Sequence, residues 1–156
     1  FLHVQSPRGR ELDSKLRRYS KLGGRRDRQF DVTEPDTAWA SDFTFIRTHE
    51  GWMYLAVVID LFSRQVVGWA MRDRADTELV VQAVLSAVWR RKPNAGCLFG
   101  LLKRERIRRR TYPTKDAARA EVFDYIEMFY NPNRRHGSTG DLSPVEFELR
   151  YAQRGS

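Results

Sequence analysis

Trp39-Ala-Ser-Asp42-Phe-Thr-Phe-Ile46 is a run of aromatic and β-branched residues with one carboxylate set inside it, and Met53-Tyr-Leu-Ala-Val-Val-Ile-Asp60-Leu-Phe-Ser-Arg64 repeats the pattern shortly after. Both runs have the composition of buried strands. An aspartate in such company must be hydrogen-bonded, paired or bound to a cation, because an unpaired buried charge costs several kcal/mol. Asp42 is therefore the first candidate functional residue. Asp60 reads two ways, as a second metal-facing carboxylate or as a side chain that ends its strand by bonding to nearby backbone.

The neighbouring residues set the order of elements. Pro35-Asp36 and Glu50-Gly51 are turn signals on either side of the first run, and Ser63-Arg64 turns the chain into Gln65-Val-Val-Gly-Trp-Ala-Met71, a third strand. Three strands joined by short turns predict an antiparallel meander. The period then changes: Asp76 or Thr77 caps a helix in which Val80, Val84, Ala87 and Val88 recur, and Arg90-Arg-Lys-Pro93 ends it. A second helical pattern is predicted from Cys97, with Leu98, Leu101 and Leu102 on one side. A third follows Thr114 as N-cap and buries Val122, Phe123, Ile126, Phe129 and Tyr130 until Pro132 stops it. The tail runs through turn residues to a short amphipathic end at Leu142-Ser-Pro-Val-Glu-Phe147.

The 156 residues, 41% of them apolar, suffice for one domain with a core. A formal net charge of +8 points to an acidic partner, for which nucleic acid is the default reading and a basic soluble surface the alternative. Residues 1–30 form a basic arm around Gly23-Gly24, either a solvated leader or a nucleic-acid contact. Lys103, Arg104, Arg106, Arg108, Arg109 and Arg110 form a second basic cluster, read as a solvated helix end or as a phosphate-binding surface. Arg134, Arg135 and His136 read equally as DNA contacts or as caps of the preceding helix. Cys97 is the single cysteine, and no Cys/His cluster has zinc spacing. No apolar run approaches membrane-spanning length and no leader pattern is present, so a cytoplasmic location is expected by elimination. The chain opens on Phe1 and closes on Arg154-Gly-Ser156, which reads as a piece of a longer reading frame.

Several of these segments together carry a resemblance. Asp36-Thr-Ala-Trp39-Ala-Ser-Asp42-Phe-Thr-Phe-Ile46, Glu50-Gly-Trp52-Met-Tyr-Leu-Ala-Val-Val-Ile-Asp60-Leu-Phe-Ser-Arg64 and Val66-Val-Gly-Trp69 resemble the catalytic core of bacterial insertion-sequence transposases related to retroviral integrases. Phe99-Gly-Leu-Leu-Lys-Arg-Glu-Arg-Ile107, Phe123-Asp-Tyr-Ile126, Phe129-Tyr-Asn131, Arg134-Arg-His136 and Ser143-Pro144 are similar to the end of the same core. The resemblance implies a ribonuclease H-like α/β fold over residues 31–150. It also implies a transferase in which two aspartates and a glutamate hold two Mg2+ ions for strand cleavage and joining, with DNA as partner. Asp42 matches the first aspartate of that triad.

The other two positions depart from the pattern. In the family a strand bearing the second aspartate, in a His-Ser-Asp-Arg-Gly type segment, follows the first helix. Here Trp89-Arg-Arg-Lys-Pro93 runs directly into Asn94-Ala-Gly96-Cys97, and Gly96 stands where the glutamate falls. Glu105 lies half a turn away and ~13 Å along a helix from that position, out of reach of the same site. The sequence thus predicts an incomplete core, a three-stranded meander with about three helices lacking its middle section. The expected function is that of a DDE-type transposase remnant without strand transfer. Its rivals are a non-catalytic DNA-binding protein, self-associating or acting on an intact transposase, and a decayed product with no role.

Overall fold

The computed structural model describes residues 32–93, 98–101 and 111–155, with 98–101 defined by their backbone. The basic arm at 1–30 and the cationic run at 103–110 lie outside the described residues.

The meander forms as expected. Strand β1 (Ala38–Thr48) pairs antiparallel with β2 (Gly51–Asp60), and β2 with β3 (Val66–Arg72). β2 is buried on both faces because its side chains alternate between two cores. Leu55, Val57 and Ile59 join Val66, Val122, Tyr125, Ile126 and Tyr130 on one face. Ala56 and Val58 join Trp39, Val67, Leu79, Ala83 and Ala87 on the other.

Helix α1 (Thr77–Arg91) starts where Asp76 accepts a hydrogen bond from the Leu79 amide at 3.1 Å. Its buried row is Leu79, Ala83 and Ala87, one position away from the predicted stripe, and Val88 is exposed. The cause is the close approach of α1 to β3. Gly68 has no side chain, and the small residues Ala83 and Ala87 settle directly over it.

The segment read as a second helix from Cys97 is corrected by the structure. Leu98–Leu101 is a strand, β4, parallel to β1 in the register Ala38↔Leu98 to Ser41↔Leu101. A short apolar run cannot be assigned by periodicity alone, and an open sheet edge selects the extended form. A further pair of residues, β5 (Thr111–Tyr112), runs parallel to Arg47 and Thr48. The sheet order is β3-β2-β1-β4, with β5 also on β1, so the three-stranded expectation is extended on the β1 side.

Helix α2 (Lys115–Phe123) is capped by Thr114, which accepts from the Ala117 amide at 3.0 Å. It continues as a π-helical stretch, Asp124–Tyr130, and a final turn, Asn131–Asn133. Two expectations are corrected here. Phe123 is exposed rather than buried and Tyr125 is buried instead, while Val122, Ile126 and Tyr130 keep the expected row with Phe129 packed against it. The helical path also passes Pro132, which occupies the first turn of the last segment, where its missing N–H costs little. Asn131 then fastens this helix to β3, accepting from the Val66 amide at 2.9 Å and donating to its carbonyl at 3.0 Å. Helix α3 (Pro144–Arg154) closes the chain behind a capping box of Ser143 and Glu146.

A Cβ at position 68 would lie 2.4 Å from the Ala83 carbonyl oxygen and 2.5 Å from the Ala87 amide, both fixed backbone atoms. Gly68→Ala is expected to cost about 3 kcal/mol by forcing α1 off the sheet. Urea unfolding checks this, and a cost near zero would show that α1 is free to shift.

Candidate functional site

The sequence put forward two strand carboxylates, and the pairing register separates them. Cross-strand partners point to the same face, and neighbours along a strand alternate. Asp60 is opposite Trp39 and shares its face; Asp42, three residues from Trp39, is opposite Val57 and points to the other. Both are buried, Asp42 at 4% and Asp60 at 0% exposure, but with the sheet between them.

Asp60 follows the second of its two readings in its local bonding. Its Oδ1 accepts from the Asp36 amide at 3.0 Å, and its Oδ2 accepts from the Ser63 amide at 2.8 Å and the Ser63 hydroxyl at 2.9 Å. Burial pushes its carboxyl above the ordinary 3.8, and these donors only partly oppose the shift. Ser63 Oγ also lies within hydrogen-bond range of Glu148 on α3. One hydroxyl proton cannot serve two carboxylates at once, so the chain of bonds is complete when Asp60 carries a proton and Ser63 donates its own to Glu148.

Glu148 in turn meets Arg91 at the end of α1 through two hydrogen bonds, 2.7 Å and 2.9 Å, and Arg91 Nε donates to Asp36 at 2.8 Å. Burial works against the charge on Arg91, but the two carboxylates hold it more firmly protonated than an ordinary arginine. The result is a polar clasp joining the start of β1, the β2–β3 turn, α1 and α3. Sequence reasoning missed Arg91, Ser63 and Glu148, because their partners are as many as 85 residues apart. Only the coincidence of a charged helix end with a buried aspartate pointed that way.

Two-metal chemistry needs carboxylates a few ångströms apart on one side of the scaffold. Asp42 and Asp60 do not supply this, and no group of three or more His, Cys, Asp or Glu side chains suited to a metal occurs among the described residues. The described donor set does not fit a pair of Mg2+ ions.

Of the C-terminal candidates, Arg135 is exposed and Arg134 partly buried, while His136 is buried at 4% exposure with its ring against Tyr130 at 5.2 Å. The His136 amide donates to the Leu142 carbonyl at 3.2 Å, and the Arg134 amide to the Phe129 carbonyl at 3.0 Å. Through their backbone amides Arg134 and His136 hold the turn after the helix, and Arg135 is exposed. Lys103, Arg104, Arg106, Arg108, Arg109 and Arg110 lie outside the described residues. No described helix is long and apolar enough to cross a membrane.

A strand meander followed by a helix, a parallel strand beside β1 and further helices is the order of an integrase-type, ribonuclease H-like core with parts missing. Sequence comparison agrees. Two family models, both described as "Integrase core domain", match residues 32–99 and 96–150, and the chain belongs to that family. Its relatives are products of bacterial insertion sequences. It is 35% identical over 164 positions to the transposase InsF for insertion sequence IS3A of Escherichia coli (strain K12), a match that takes in 78% of this chain and 57% of that protein. It is 28% identical over 166 positions to the insertion element IS600 uncharacterized 31 kDa protein of Shigella sonnei, covering 80% and 61%. The chain thus spans little more than half the length of these relatives. In the first alignment 78% of 156 residues is about 122, so roughly 42 of the 164 positions have no residue of this chain opposite them.

The raised Asp60 carboxyl sets a pH dependence. The folded state binds this proton more tightly than the unfolded chain, so the stability it contributes is complete below 3.8 and declines as pH rises through the higher folded value. Asp60→Asn keeps the shape, loses one acceptor and does not titrate. It is expected to cost about 1–2 kcal/mol. That cost should be larger at about pH 4 than at about pH 7 in urea unfolding, and a cost that grows with pH would contradict the assignment.

Proposed function

We propose that this chain is an insertion-sequence transposase core that retains a DNA-facing surface and has lost the two-metal centre needed for strand transfer. The observation that carries the reading is the separation of Asp42 and Asp60 onto opposite faces of the sheet. Asp42 keeps the place of the first catalytic carboxylate in the family resemblance, on a rigid central strand. A carboxylate that must share metals with it has to come from the same face, and Asp60 does not.

The missing partners belong to a missing section. The sequence between Arg91 and Cys97 has no acidic residue, and Gly96 stands where the resemblance places the glutamate. Roughly 42 unmatched positions within the alignment to a transposase, and two family matches that meet at 96–99, support a deletion of the middle of the core. Of the two strand carboxylates among the described residues, only Asp42 lies on that face, and one such ligand is too few to order two Mg2+ ions. Residues 1–30 then form a basic arm ahead of a shortened core at 31–150.

The DNA partner is supported by the formal net charge of +8 and by the cationic run at 103–110. In this reading the protein acts in the bacterial cytoplasm as a non-catalytic DNA-binding partner, either self-associated or mixed with an intact transposase.

The full chain, given terminal-repeat DNA and magnesium, is expected to produce no cleavage or joining above background, with Asp42→Asn indistinguishable from it. A magnesium-dependent product that Asp42→Asn abolishes would overturn the loss of catalysis. Duplex binding should weaken steeply with salt, with a log–log slope of about −5 when all six cations of the 103–110 run neutralise phosphates. No binding at low salt would leave only the decayed-product reading.

A further inference from the structure

We propose that the tip of the β1–β2 hairpin is a stacking platform for the bases of single-stranded DNA, a site that rests on the DNA-binding reading above. Phe45 and Arg47 of β1 are opposite Tyr54 and Trp52 of β2, so all four side chains stand on one face of the sheet. The Phe45 ring meets Trp52 edge-on at 5.5 Å and 88°, and Tyr54 at 6.1 Å. The Arg47 guanidinium lies 5.8 Å from the centroid of the Trp52 ring. Trp52 is held on these sides and still 42% exposed, whereas Trp39, farther along the same face, is buried at 3%.

The tip is stiff. Thr48 Oγ1 donates to the Gly51 carbonyl at 2.7 Å and accepts from the Glu50 amide at 3.2 Å. The His49 amide donates to the Tyr112 carbonyl at 2.7 Å, and the Lys115 amide donates to Glu50 at 2.7 Å. An exposed aromatic ring fixed in place in advance loses little freedom when a flat partner stacks on it.

Charge selects the partner. Thr111 of β5 is paired with Arg47, and the residue before it in the chain is Arg110, the last of the 103–110 cations. In sequence, the cations of 103–110 directly precede this pair. Fixed aromatics and positive charge are the two components of single-strand binding: the rings take the bases, and Arg47 beside Trp52, on a chain of net charge +8, attracts the phosphates. A duplex keeps its bases stacked on one another and offers a ring on the protein no base face, so the platform favours single strands. It lies on the opposite face from Asp42, and a strand held there is kept away from that carboxylate.

The test is fluorescence anisotropy of the full chain with a labelled oligothymidylate and with a duplex of equal length. Trp52→Ala is expected to weaken single-strand binding about tenfold and to leave duplex binding within about twofold, with Trp52→Phe restoring most of the loss. Arg47→Gln should make the single-strand salt slope shallower by about 0.7. The comparison is Trp89→Ala on α1, where the ring is 80% exposed and far from the patch in the fold; it should bind as the parent does. Urea midpoints confirm that the variants fold, and the shallower single-strand salt slope of Arg47→Gln carries the test if the alanine variant does not, an unchanged slope overturning the platform. The platform is overturned if Trp52→Ala matches Trp89→Ala on single strands, or if single-strand and duplex binding fall equally. If the parent binds neither DNA, the DNA reading itself fails and the platform with it.

Discussion

The constraint on which the rest of this structure depends is the second edge of β1. That strand is the middle of the sheet, with β2 along one side for its whole length. Its other side needs a partner, because a central strand with an open row of backbone donors and acceptors is costly in the core and sticky at the surface. Leu98–Leu101 supplies one at the start of β1 and Thr111–Tyr112 at its end. A segment with a helical look in sequence is thus turned into a strand by the sheet's need. Tertiary demand overrides local preference where the local signal is only four residues long.

The same strand decides the chemistry. Side chains along β1 alternate, and the register with β2 fixes which carboxylate faces which core. Asp42 looks toward the α2 side, with Val57, and Asp60 toward the α1 side, with Trp39. A shift of one residue in pairing would put both strands' apolar residues on the wrong faces, so the separation is held by the whole core. No side-chain rotation can bring the two carboxylates together through a sheet. The polar clasp of Arg91, Asp36, Glu148 and Ser63 then gives Asp60 its own local purpose.

How much of this was legible follows the range of each interaction. β1, β2 and β3 were readable because their apolar runs are long and their turns short, and the caps Asp76 and Thr114 because capping is local. The family was readable from ordered motifs. The face of α1 was misjudged by a residue, while the stripe of the second long helix held at Val122, Ile126, Phe129 and Tyr130 and failed at Phe123. The space over Gly68 acts through packing that no helical wheel contains. Asp60 had two readings in sequence because its decisive partners, Ser63 nearby and Asp36 and Glu148 far away, are gathered only by the fold. The hairpin-tip aromatics were visible as residues, but their common face became a fact only with the register.

The two ends of the chain close on each other through direct contacts. The family matches 32–99 and 96–150 divide the chain into an N-terminal meander with α1 and a C-terminal run of helices. The C-terminal part packs on the N-terminal part without an intermediary. Val122, Ile126 and Tyr130 pack on Leu55, Val57 and Ile59 of β2 directly. Asn131 takes both backbone groups of Val66, and Trp69 Nε1 donates to Glu127 at 3.0 Å. Glu148 ties α3 to Arg91 and to Ser63 at the β2–β3 turn. These contacts run from the helices to β2, β3, the turn between them and the end of α1, and none of them is made to β4. The C-terminal helices therefore close the hydrophobic core on β2 and β3 without drawing on β4.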